Sequence, residues 1–96
     1  VSARTPAEAI ASRCAAAHRD DPTPCEGPQD AVRIYDRWKS GGGVLGCVHH
    51  GARMLASVVG GLVYPGPSSD VGRRPGNDAA VDAYVRAQAT RPFPWA

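Results

Sequence analysis

Gly46-Cys47-Val48-His49-His50-Gly51 sets a thiol and an imidazole three residues apart, directly ahead of the short apolar run Ala52 to Val59. A Cys-x-x-His spacing lets the Cys47 sulfur and one ring nitrogen of His50 converge on a single metal ion. Gly46 and Gly51 on either side are read as relief for a tight backbone turn. Upstream, Cys14 and Cys25 offer two further thiols, so the preferred ligand set is Cys14, Cys25, Cys47 and His50, with His18 and His49 as substitutes. Four protein ligands leave no open position and imply a structural Zn2+. The alternative is that Cys14 and Cys47 are small buried hydrophobes, Cys25 is incidental and the histidines are solvated turn residues.

Composition explains why a staple would help. The chain has 96 residues, 6% aromatic content, eleven glycines and nine prolines. It is read as one small domain, 1–96, with few large side chains for its centre. Ordering the backbone costs roughly 1–2 kcal/mol per residue, whereas a structural zinc contributes about 10–16 kcal/mol of apparent binding energy in finger peptides. An odd number of cysteines in a reducing compartment argues for metal ligands or core thiols over a disulfide. Val1 to Ile10 holds Arg4, Pro6 and Glu8 and lacks the apolar stretch of a secretory signal, which points to the cytoplasm. Ala52 to Val63 is broken by Arg53, Ser57, Gly60 and Gly61 and is far short of the roughly 20 residues that span a bilayer. Ten of the eleven basic residues are arginine, and alanine, glycine and proline abound. That bias fits a GC-rich genome, and Val1 then fits a GTG start codon, which would make the chain complete.

Working outward, Thr5-Pro6-Ala7-Glu8 is a capping box with proline at the first helical position and predicts a helix from Pro6 to about His18. Cys14 and His18 would share its face. Asp20-Asp21-Pro22-Thr23-Pro24 ends it, and Cys25-Glu26-Gly27-Pro28 reads as a turn that leaves Cys25 free to ligate. Val32 to Trp38 has the alternation of a strand, and Val44 to Cys47 returns beside it across the glycine-rich Lys39 to Gly43. A short helix over Ala52 to Val59 follows, with Met54, Leu55 and Val58 as its stripe, and Leu62 to Tyr64 adds a third strand. Asn77 or Asp78 caps a last helix to about Ala89, with Val81, Tyr84, Val85 and Gln88 inward. The fold class is therefore α+β: an N-terminal helix, a hairpin leading through Cys-x-x-His into a short helix, and a C-terminal helix. Phe93 and Trp95 form an aromatic tail that either covers a core edge or engages a partner.

A hairpin ending in Cys47-x-x-His50 and running into a helix is similar to the second half of a treble-clef or zinc-ribbon-like finger, over about Cys25 to Val59. In that family four Cys or His side chains hold one zinc, two from a knuckle and two from a helix start. Here ten residues separate Cys14 from Cys25, so the first knuckle is missing. As a whole the chain resembles small Streptomyces-type actinobacterial proteins sharing Cys-x-Gly-Pro…Asp-Ala-Val-Arg (Cys25 to Arg33), Gly-Cys-x-His-His-Gly-Ala (Gly46 to Ala52) and Val-Tyr-Pro (Val63 to Pro65). That resemblance implies an accessory role linked to mobile elements and brings no activity with it.

Three functions are open at this point. The first is a non-enzymatic, zinc-stabilised adaptor or regulator that binds a protein through the last helix or through Phe93 and Trp95. The second is a finger-like nucleic-acid binder using Arg33, Tyr35, Arg37, Lys39, Arg73 and Arg74, against which the net charge of only +2 weighs. The third is a small metal-dependent hydrolase or nuclease. Glu26 and Asp36 are its candidate carboxylates, but no H-x-E or H-E-x-x-H pattern is present, and adjacent histidines on an extended strand would face opposite ways. No catalytic residue is assigned.

Overall fold

The structure is a computed structural model and describes residues 13–39 and 41–92. Its elements run β1 (Val32–Tyr35), β2 (Val44–Gly46), α1 (Val48–Ser57), β3 (Leu62–Pro65) and α2 (Ala79–Thr90). The capping box at Thr5 and the tail residues Phe93 and Trp95 lie outside the described residues. Within them, residues 13–18 form a bend and a turn rather than the end of a helix.

The glycine-rich turn folds β2 back antiparallel to β1, and β3 pairs antiparallel with the other edge of β1, giving the order β2-β1-β3. α1 carries the chain from one outer strand to the other, so β2, α1 and β3 make a split β-α-β unit around β1. Val32 sits opposite Gly46 and Pro65, and Ile34 opposite Val44 and Val63. Residues in direct opposition share a face, so this row turns inward while Arg33, Tyr35, Leu45 and Tyr64 turn outward.

Both helices cover the inward face. Val32, Ile34, Val48, Ala52, Leu55, Ala56, Ala79, Ala83 and Ala87 form its core. α1 can lie this close because Gly51 is within the helix and faces β1: a Cβ there would overlap Val32 Cγ2. Gly51 therefore serves helix-to-strand approach and not the tight turn expected of it. The helix also starts at Val48 rather than Ala52, with Cys47 as its N-cap and the Cys47 sulfur accepting from the His50 N–H at 3.3 Å. A sulfur acceptor does the work usually done by a hydroxyl or carboxylate.

α2 begins as expected at Asp78, whose carboxylate accepts from the Val81 N–H at 3.0 Å. Its inward side is not the expected one. Ala79, Ala80, Ala83 and Ala87 are buried, while Val81, Tyr84, Val85 and Gln88 are exposed. Alanines four apart let α2 settle against α1 and the sheet at short range, where valine and tyrosine would hold it off. Among the described residues, no helix is long and apolar enough to cross a membrane.

Candidate metal centre

A second, smaller cluster of buried residues, Cys14, Ala16 and Cys47, sits at the N-terminal end of α1. Three chain segments meet there. The Ala16 N–H donates to the Leu45 carbonyl at 3.1 Å, which ties the Cys14 segment to the free edge of β2. Gly46 is needed at this junction, since a Cβ on it would overlap that of Ala16. The Cys25 loop joins from the other side, where the Cys14 N–H donates to the Cys25 sulfur at 3.2 Å. The first turn of α1 contributes Cys47 and His50.

Cys14, Cys25, Cys47 and His50 thereby lie close together, with one ligand atom from each and all four within 4.8 Å of one another. The His50 Nδ1 is 3.5 Å from the Cys14 sulfur, 3.6 Å from that of Cys25 and 3.2 Å from that of Cys47. The same four residues were expected from the sequence, and together they could coordinate a metal ion. Cys47 and His50 are almost fully buried, Cys14 is buried and Cys25 is partly exposed.

The surroundings favour a thiolate at Cys47. The Cys47 thiol is held down to about 4, first by a hydrogen bond from the Cys14 side chain and then by the backbone N–H groups of His50 and Glu26. Cys14 is pushed up correspondingly, because it is the donor in that pair and is buried. Of the two sulfurs, Cys47 is the one its neighbours favour as the thiolate. α1 has no acidic residue in its first turn, so the Cys47 thiolate is the negative group facing the positive end of the helix.

His50 is oriented from behind. Its Nε2 lies 2.9 Å from the Thr23 carbonyl, which can only accept, so Nε2 carries the proton and Nδ1 turns a lone pair toward the sulfurs. Beside it, the buried Asp21 carboxylate takes the Thr23 N–H at 2.9 Å, the Arg53 guanidinium at 3.1 Å and the His49 Nε2 at 3.3 Å. Burial would raise Asp21, but the hydrogen bonds from Thr23 and the charges of Arg53 and His49 outweigh it and hold the carboxyl at about 2. Arg13 also donates to the Asp21 carbonyl. Asp21, His49 and His50 converge as a second possible ligand group, but Arg53 already sits on the same carboxylate oxygen, and its charge opposes a second cation.

Several sequence expectations resolve differently. His49 is on the helix, its ring 4.8 Å from that of His50, and turns to Asp21. His18 packs against Asp20 instead of joining the sulfurs. Glu26 follows Cys25 but is turned to α2, where Arg86 grips it at 2.9 and 2.6 Å and holds its carboxyl below the usual range. Asp36 caps the hairpin turn by accepting from the Trp38 N–H at 3.0 Å. Arg33 and Tyr35 lie on the outer sheet face, and Arg37 and Lys39 in the turn beyond it. Arg73 is drawn to Asp82 at 3.1 Å in the loop before α2, and with Arg74 it lines a groove beside Pro28 and Ala31 at the other end of β1. Asp21, Thr23 and Arg53 were not singled out from the sequence, although Asp21-Pro22-Thr23 has the Asx-turn pattern that aims a carboxylate at a backbone N–H.

No known protein family, curated protein or solved structure matches this chain.

Proposed function

We propose that this chain is a zinc-stapled, non-enzymatic binding module, an adaptor or regulator whose metal centre fixes a small scaffold and whose surfaces engage another macromolecule. The observation that carries the reading is the closed ligand set. A tetrahedral zinc with Zn–S of about 2.3 Å and Zn–N of about 2.0–2.1 Å puts sulfur and nitrogen roughly 3.6 Å apart, close to the separations around His50 Nδ1. Three soft thiolates and one imidazole suit zinc over magnesium, calcium or manganese. With four protein ligands there is no place for a zinc-bound water, and the carboxylates expected to act as bases face elsewhere.

The exposed Val81, Tyr84 and Val85 lie on one side of α2 at the i, i+3, i+4 spacing with which a helix meets another protein. They favour a protein as one partner of the module. Cobalt substitution tests the closed site. A tetrahedral thiolate-rich spectrum that excess azide or cyanide leaves unchanged is expected; a spectrum that shifts with either anion would reveal an open position and return an enzymatic reading.

A further inference from the structure

We infer that the outer face of the sheet, with the hairpin turn beside it, is a binding platform for single-stranded nucleic acid. Both helices lie on the opposite face. On the open side, the rings of Tyr35 and Tyr64 meet edge to face at 5.4 Å, and the Lys39 ammonium stands over both, at 5.3 and 4.5 Å from their centroids. In the turn, the Arg37 guanidinium lies 4.5 Å over the ring of Trp38, which is 73% exposed. Arg33 is on the same sheet face, anchored by donating to the Gly42 carbonyl at 2.6 Å. Aromatic faces alternating with cations suit a strand whose bases stack and whose phosphates are negative.

The low net charge does not describe this face. Asp36 is the only carboxylate in the three strands and the hairpin turn, and it is engaged in capping that turn. Asp21 is buried, Glu26 and Asp82 are held by Arg86 and Arg73, and Asp78 caps α2. These four carboxylates are engaged elsewhere, and along β1 and the hairpin turn Arg33, Arg37 and Lys39 outnumber Asp36, so the local charge there is positive.

Backbone conformation adds an independent observation. Lys39 is the only lysine of the chain, and among the described residues it is the one non-glycine with positive φ, at 55°. Glycine would adopt this conformation without the steric cost a side chain brings, and glycines fill positions 41–43 of the same turn. Keeping lysine there places its ammonium over the tyrosine pair, the kind of strain that marks a functional position. Duplex DNA is a poorer fit, since the rings need unpaired base faces to stack on.

The proposal adds a partner class to the binding-module reading, and recording zinc content in every sample keeps the two separable. The experiment is fluorescence anisotropy of a labelled oligo(dT) of about fifteen nucleotides, a length within the site sizes of such platforms, titrated with the zinc-loaded chain. Binding is expected with Kd of roughly 1–100 µM. If Arg33, Arg37 and Lys39 each meet a phosphate, affinity falls about 20-fold between 50 and 200 mM salt. Tyr64→Ala and Trp38→Ala should each weaken binding about 5- to 150-fold. Lys39→Gly suits the backbone and should keep the fold while flattening the salt slope by about 0.7. Arg74→Ala, at the other end of β1, should change affinity less than about twofold. Absent or salt-independent binding, equal affinity for a duplex or for inorganic polyphosphate, or wild-type binding by folded Tyr64→Ala and Lys39→Gly proteins would each overturn the proposal.

Discussion

Gly51 and Asp21 carry more of the site than their types suggest. A methyl group on Gly51 must push α1 off Val32, so Gly51→Ala is expected to lower the stability of the zinc-loaded protein by about 1–3 kcal/mol, read from the urea midpoint. An unchanged midpoint would mean that the helix does not press on β1. Asp21 would support a bound metal indirectly, since it holds the Thr23 segment that fixes His50. Asp21→Asn should therefore retain zinc but weaken its affinity about 10- to 100-fold in competition with a chelator. At this scale the Cys-x-x-His pair was legible because its spacing is local. Asp21 was not, because His49 and Arg53 lie 28 and 32 residues along the chain from it.

The two helices show what pattern reading can and cannot settle. The hairpin and third strand follow from alternation and from glycines at a turn, signals that do not depend on the rest of the molecule. The start of α1 was missed because cysteine is an unusual N-cap. The inward side of α2 is not legible from side-chain size, because its small alanines, and not Val81, Tyr84 and Val85, face the core. Ala83→Leu should accordingly cost about 1–3 kcal/mol, while Val85→Asp should stay within about 0.5 kcal/mol, by thermal or urea unfolding. The reverse order would place the valine stripe in the core. Arg86 joins α2 to the Cys25 loop through Glu26 and also binds Asp82, and its partners' carboxyls are held below their ordinary values. Depressed carboxyls add stability above their unfolded pKa values, and that contribution drains as pH falls through the folded ones. Both are partly exposed, so the network is worth less than about 1 kcal/mol. Urea midpoints of wild type and Arg86→Ala should therefore differ slightly near neutrality and converge toward pH 3; parallel curves would show that the network is not formed in solution.

At the scale of the fold, the apolar core of the described residues is built largely of alanine, and Leu55 is the largest fully buried side chain among them. Such a core supplies limited burial energy for a chain that must order eleven glycines. Cys14, Cys25, Cys47 and His50 bring together the Cys14 segment, the Cys25 loop and the first turn of α1, and a metal held by them would tie the three together. On this account metal binding and folding are one equilibrium. The most direct test is native mass spectrometry with elemental analysis of protein prepared without added metal, alongside circular dichroism and a Cys47→Ser variant. The account predicts one tightly held zinc per chain, its loss in the variant, and collapse of the folded spectrum when a chelator strips the wild type. A wild-type protein that carries no metal and keeps its folded spectrum would contradict it.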